Sequence, residues 1–377
     1  MKNNGMQVLF KECDRNAGKL YPKTDQPRII TMSSKELEVI ESAGLGRIFL
    51  SAKKLMDYAK AQKIILMPSF PAAGTMVSYL CGIGNIEPVR HGFVSERYLN
   101  PLRPEVMQNP RFLCSPSAKE ELDSYVKSLN SGGECMEIEI WGLAGFEAVE
   151  KIIDSIRNDT GNDLDFYSIE PNEPQVFSIF NTGDTEGIWE FGLPQQTETC
   201  NKAGVESFED LIAISSLCHP GTDHLIPEFI ERKKGRLNNN ALHAVAEPFL
   251  NETYGLMLYQ EQMIRIYAAL SGCSLAEADI VRKNMGAKKI KALEADRNKF
   301  IDGCLKKEIP PGRTESLWDF MSNHSPCCFL KQYSAESALF AYRMAYLKKY
   351  YQNLFLKHKV LSIHMDRQYE ELLRLGT

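Results

Sequence analysis

The apolar residues of this chain change their spacing partway along, and that change limits the folds open to it. In the first 155 residues the short runs Ile48-Phe49-Leu50 and Ile64-Ile65-Leu66-Met67 have strand length and alternate with helical periodicity. Ser33-x-x-Glu36 reads as a capping box opening a helix that carries Leu37, Ile40 and Ala43 and stops at Gly44. Further helices are expected over about 52–62 and 72–82, and 138–141 reads as a strand leading into a helix through Ile156. From about Phe177 onward the pattern is almost wholly helical, over 211–217, 225–232, 261–270, 275–285, 290–304, 317–321 and 335–351, with few strand signals. The expected fold is therefore α+β and helix-rich: a small mixed sheet with helices packed on it, then a mostly helical part, divided into 1–155 and 156–377.

Charge limits what such a chain can grip. With 44 Lys and Arg against 49 Asp and Glu the formal net charge is −5, which argues against nucleic-acid binding over the whole surface. Local basic runs remain: Arg232-Lys233-Lys234-Gly235-Arg236, Arg282-Lys283 with Lys288-Lys289 and Lys291, and Arg343 with Lys348-Lys349. Such runs are often solvated helix ends, and Ser274-x-x-Glu277 supplies a cap that would place Arg282 and Lys283 in a last turn. Aromatic residues do not interleave with them, so base stacking is unsupported. Trp141, Trp189 and Trp318 sit in periodic segments and are expected in the core. The ten cysteines show no C-x-x-C spacing and read as reduced thiols. No apolar run approaches membrane length and residues 1–16 lack a signal-peptide core, so a cytoplasmic location is expected.

Several segments carry a more specific signal. In order they are KELEVIESAGLGRIFLSAKKLMDYAKAQK at 35–63, AAGTMVSYLCGIGNIEPVRHGFVSERYLNP at 72–101, IEIWGLAGFEAVEKI at 138–152, NTGDTEGIWEF at 181–191, FEDLIAISSLCHPG at 208–221, IPEFIERKKG at 226–235, ETYGLMLYQEQM at 252–263, AEADIVRKNMG at 276–286 and LKQYSAESALFAYRMAYLKKYY at 330–351. Together they resemble the alpha (catalytic) subunit of bacterial DNA polymerase III, a C-family polymerase. The resemblance implies a nucleotidyltransferase-like palm followed by helical fingers. It also implies that the family's thumb, exonuclease domain, helix-hairpin-helix and clamp-binding tail are missing.

Departures from the family cluster where its chemistry lies. After Asn100-Pro101 the family carries Pro-Asp-x-Asp-x-Asp, whereas here no carboxylate follows Glu105 until Glu120. Its Gly-Arg-Gly-Ser loop facing the nucleotide is Pro68-Ser69-Phe70-Pro71, which leaves Gly74 and Thr75 behind it as phosphate candidates. The third acid aligns with Glu139, and a basic residue two positions earlier with Glu137. His219 stands at a functional arginine, and Asn-Lys-Ser-His becomes Leu330-Lys331-Gln332-Tyr333.

Two divalent ions about 4 Å apart repel by roughly 16 kcal/mol at an effective dielectric near 20, so two-metal phosphoryl transfer needs clustered carboxylates. Glu137 and Glu139 alternate at strand period and would share one face, one metal site and not two. The expected function is a non-catalytic polymerase-like protein without cofactor. It would bind DNA through a local patch of Arg282, Lys283, Lys288, Lys289 and Lys331, near His219 and Tyr333, or a replication or repair protein. The alternative is a nucleotidyltransferase using Glu137 and Glu139, with Glu134 or Glu120, at a single Mg²⁺. Asp163-Leu164-Asp165 is read as a solvated connector, and Gln352-Asn353-Leu354-Phe355, though similar to a clamp peptide, as helix packing.

Overall fold

The computed structural model describes residues 2–69, 71–103, 110–129, 138–238, 244–287 and 289–358. The chain forms two compact units, one running to Pro171 and resuming at Leu339, the other spanning Asn172–Ala338. As expected, the fold is α+β and helix-rich with a small mixed sheet.

The first unit contains helices α1 (Lys2–Leu20), α2 (Gln26–Ser42) and α3 (Gly46–Ala61), strand β1 (Met67–Pro68), helix α4 (Met76–Leu80), strand β2 (Arg111–Cys114), helix α5 (Pro116–Leu129), strand β3 (Glu139–Gly142) and helix α6 (Ala144–Thr160). The sheet order is β1-β2-β3, antiparallel between the first pair and parallel between the second, with Met67 opposite Leu113 and Arg111 opposite Glu139. Leu9, Ile40, Leu55, Met76, Phe112, Leu122 and Ile140 meet in one core beneath it.

Four expectations fail here for physical reasons. The helix expected to open at Ser33 opens a full two turns earlier, behind Asp25 with Pro27 in its first turn. Ser33 is thus mid-helix, its hydroxyl donating to the carbonyl of Ile30 at 3.1 Å, and Glu36 does not cap its own helix. Ile48-Phe49-Leu50 is not a strand but part of α3, where Phe49, Ala52, Met56 and Ala59 line the buried face at helical spacing. Three apolar residues cannot fix a period. Of the run 64–67 only Met67 joins the sheet, and the helix expected over 72–82 is a 3-10 turn, Pro71–Gly74, followed by the five residues of α4.

The second unit is built from helices α7 (Pro174–Thr182), α8 (Pro194–Ala203), α9 (Phe208–Leu217), α10 (Ile226–Lys233), α11 (Glu247–Leu250), α12 (Gln260–Ser271), α13 (Leu275–Gly286), α14 (Ile290–Lys306) and α15 (Pro311–His324). The capping box at Ser274 and Glu277 is formed in both directions. Among the described residues this unit has strand-like pairing only at the isolated bridge Tyr259 to Phe329. The boundary between the units falls within α16 (Lys331–Tyr350), and α17 (Gln352–His358) follows it, burying Phe355.

Helices α12 and α14 approach each other at Gly303, where an added Cβ would lie 2.4 Å from the Cα of Ser271 and 2.5 Å from its carbonyl oxygen. Backbone cannot swing aside as a side chain can. Gly303→Ala is therefore expected to cost about 1–3 kcal/mol, read as a lowered urea midpoint, while Gly312→Ala, which meets nothing within 4 Å, changes little.

Candidate nucleotide and nucleic-acid sites

The start of α4 is where Gly74 and Thr75 were expected to meet phosphate. Both are buried. Thr75 is the N-cap: its hydroxyl accepts from the Ser78 amide at 3.2 Å and donates to the Ala72 carbonyl at 2.8 Å. The next amides are also engaged, Met76 N and Val77 N donating to the two carboxylate oxygens of Glu36 at 3.2 and 2.8 Å. Glu36 is only 6% exposed. Burial pushes its carboxyl up to about 7 against the opposing pull of the two amide bonds. An internal carboxylate thus occupies the seat at which a helix start offers its N–H groups to an anion.

A second substitution of partners occurs on the sheet. Glu139 opens β3 directly opposite Arg111 on β2, and Arg111 donates to one Glu139 oxygen from Nε at 2.9 Å and from Nη2 at 2.8 Å. Two residues along on the same face, the ring of Trp141 lies 4.1 Å beneath the guanidinium. The tryptophan expected in the core is half-buried and serves as a platform for that arginine. Glu139 therefore faces a fixed cation supplied by its own sheet. Glu137 lies outside the described residues, as do Glu105 and Glu134. Among the described residues no group of three His, Cys, Asp or Glu side chains gathers in a way that could hold a metal.

In the second unit the expected patch separates into buried and exposed members. Arg282 is 8% exposed and pairs with fully buried Asp279 at 2.9 Å. Lys331, 2% exposed, places its ammonium 2.5 Å from Glu252 and 5.1 Å from the centre of the Tyr259 ring, while its amide donates to Glu261 at 3.1 Å. Lys283 is half-buried and Lys289 exposed; Lys288 lies outside the described residues. His219 and Tyr333 do come together, around Phe329: the imidazole stacks on that ring at 4.0 Å and meets Tyr333 edge-on at 6.4 Å. His219 is buried, its Nε2 has no hydrogen-bond partner, and burial pulls its pKa down to about 4. Of the side chains that decide these environments, Arg111 and Glu252 carry no local spacing signal and Glu36 carries a misleading one, because each acts on a residue brought to it by the fold.

Comparison with known proteins agrees with this arrangement in two segments. Residues 7–108 match the bacterial DNA polymerase III alpha NTPase domain, and residues 146–308 match the bacterial DNA polymerase III alpha subunit finger domain. Similar proteins include the DNA polymerase III subunit alpha of Bacillus subtilis, 29% identical over 228 residues, and that of Staphylococcus aureus, 30% identical over 220 residues. That of Halalkalibacterium halodurans is 27% identical over 240 residues. These alignments cover 60%, 58% and 64% of this chain and 20%, 21% and 21% of the respective relatives, so the chain spans about a fifth of their length.

The two buried titratable groups give opposite pH signatures. His219 has its folded pKa below the ordinary 6.5, so the stability it contributes is full above that value and is lost as pH falls toward 4. Glu36 has its folded pKa above the ordinary 4.5, so its contribution is full below 4.5 and declines as pH rises toward 7. Each window is worth up to roughly 3 kcal/mol. The expected outcome is a shallow pH profile in the parent chain. Urea midpoints between pH 4 and 7.5 should then fall on the acid side in Glu36→Gln and on the neutral side in His219→Phe.

Proposed function

Because the chain is a homologue of the bacterial DNA polymerase III alpha subunit in its NTPase and finger segments, we propose that it is a non-catalytic relative acting in DNA replication or repair. In this reading it binds DNA weakly or a replication protein, and it transfers no nucleotide. The observation that carries the reading is the Arg111–Glu139 pair. A carboxylate at the aligned catalytic position is already neutralised by a guanidinium held in register and stacked on Trp141. A divalent ion binding there would have to displace that cation, whose donors are fixed by the sheet. The Glu36 carboxylate on the α4 amides acts in the same direction, because a triphosphate approaching that helix start would meet negative charge. At neutral pH a raised pKa near 7 leaves that carboxylate only partly charged, but its hydrogen bonds still occupy the donors.

DNA contact, in this reading, falls to the exposed lysine at 289 and half-buried Lys283, since Arg282 and Lys331 are committed inside the unit. A chain of net charge −5 binding through so few cations should bind weakly and without sequence preference, with a shallow salt dependence set by its few phosphate contacts.

Primer extension with Mg²⁺ or Mn²⁺ tests the central claim. No template-dependent product is expected from the parent chain or from Arg111→Gln; product that vanishes in Glu139→Gln would sink it. Filter binding across salt tests the second. Lys331→Ala is expected to lower the melting temperature by several degrees while leaving the slope of log affinity against log salt unchanged, because its ammonium answers Glu252 and not phosphate. Lys283→Ala with Lys289→Ala should reduce that slope by about 0.9 for each phosphate contact removed. Equal slopes for the parent and this double variant would shift the reading to a protein partner.

A further inference from the structure

Beside β1 the first unit holds a pocket of about 320 Å³ that neither the sheet pair nor the α4 start uses. Its walls are the buried side chains Ile64, Ile65, Ile153 and Phe166, and Lys60, Lys63 and Arg157 stand at its rim. We propose that this pocket binds a small amphipathic anion, an aryl or alkyl phosphate or carboxylate, with its apolar body on those walls and its charged head at Lys60.

The rim is built and not accidental. Asp163 takes Lys63 at 2.9 Å and Arg157 at 2.7 Å, which fixes two of the three cations and holds the Asp163 carboxyl below its usual range. Asp165 accepts from the Tyr167 amide at 2.9 Å and so caps the turn, Phe166–Ser168, that presents both rings. The Asp-Leu-Asp sequence read as a solvated connector does expose both aspartates, and it also frames the pocket. Lys63 enters this frame at φ +59°, a left-handed conformation that costs a lysine of the order of 1 kcal/mol and closes the end of α3. The Tyr167 hydroxyl is committed to the Leu66 backbone on both sides, at 2.8 and 3.1 Å, so its ring is held in place.

Lys60 is the cation without such an anchor. Its ammonium lies 5.3 Å from the centre of the Tyr167 ring, and among the described residues no carboxylate comes within ion-pair distance of it. Three cations and two carboxylates line the pocket, a surplus of one positive charge, which suits a carboxylate or the singly charged form of a phosphate monoester, whose second ionisation lies near pH 6. A polyanion would be repelled by Asp163 and Asp165. The volume and apolar walls fit a ligand of about one ring or a short alkyl chain.

Ligand-observed NMR titrations of the full chain with phenyl phosphate and with phenylacetate test this, with inorganic phosphate and benzyl alcohol as head and body alone. Saturable one-site binding of either amphipathic anion, at least about tenfold tighter than either half, is expected. Lys60→Met should weaken it about tenfold, and Leu164→Trp, which fills the pocket from its rim, should abolish it. Thermal melts establish that both variants fold; should Leu164→Trp not fold, the surface change at Lys60 decides alone. Parent-like affinity in Lys60→Met, equal binding of benzyl alcohol, or no saturation by either anion would each overturn the proposal.

Discussion

A charge withdrawn from water must be answered inside the protein, by an opposite charge or by well-aimed dipoles, and both units are arranged around that requirement. Glu36 is answered by the amides of α4, Arg282 by Asp279, Lys331 by Glu252, and Lys233 by Asp210 at 2.8 Å with both side chains nearly inaccessible. Arg282 and Asp279 answer one another within α13, while the other pairings tie a helix to a neighbour or a turn that its own sequence does not specify. The same requirement removes positive charge from the surface. A basic run counted in the sequence overstates what a phosphate could reach, because the members nearest the core are held by carboxylates.

In the proposed reading, the two positions expected to hold foreign ions are filled from within. The Glu36 carboxylate takes the first α4 amides, and an internal cation, Arg111, faces Glu139. In the proposed reading these are complementary losses: the scaffold that orients the groups persists, while the groups bond to one another. Thr75 illustrates the difference between keeping a residue and keeping its role, since its hydroxyl is wholly used in capping a five-residue helix.

Much of the helical part was legible because its elements are long, periodic and capped in sequence; Ser274 and Glu277 mark the start of α13 within a residue. The first unit was harder to read. A capping-box spelling at Ser33 falls inside a helix that starts at a proline turn, and three apolar residues at 48–50 do not distinguish a strand from one face of α3. The candidate site was legible in position and not in environment. Glu139 and Lys331 could be singled out by alignment with a known pattern, but their partners, Arg111 and Glu252, stand 28 and 79 residues away, and only strand register and helix packing bring them close. Local spacing carries no information about such pairs.

The parallel pairing of β2 with β3 also sets an order of assembly. Parallel neighbours cannot be joined by a tight turn, so Arg111 and Glu139 meet only after the intervening chain, α5 included, has crossed over and its loop-closure entropy has been met. Helix α1 packs on α3 as well as on α2, so that contact too closes a loop, with α2 inside it. In the nascent chain Arg111 emerges 28 residues ahead of Glu139, and its guanidinium spends its first moments in water until β3 arrives beside it.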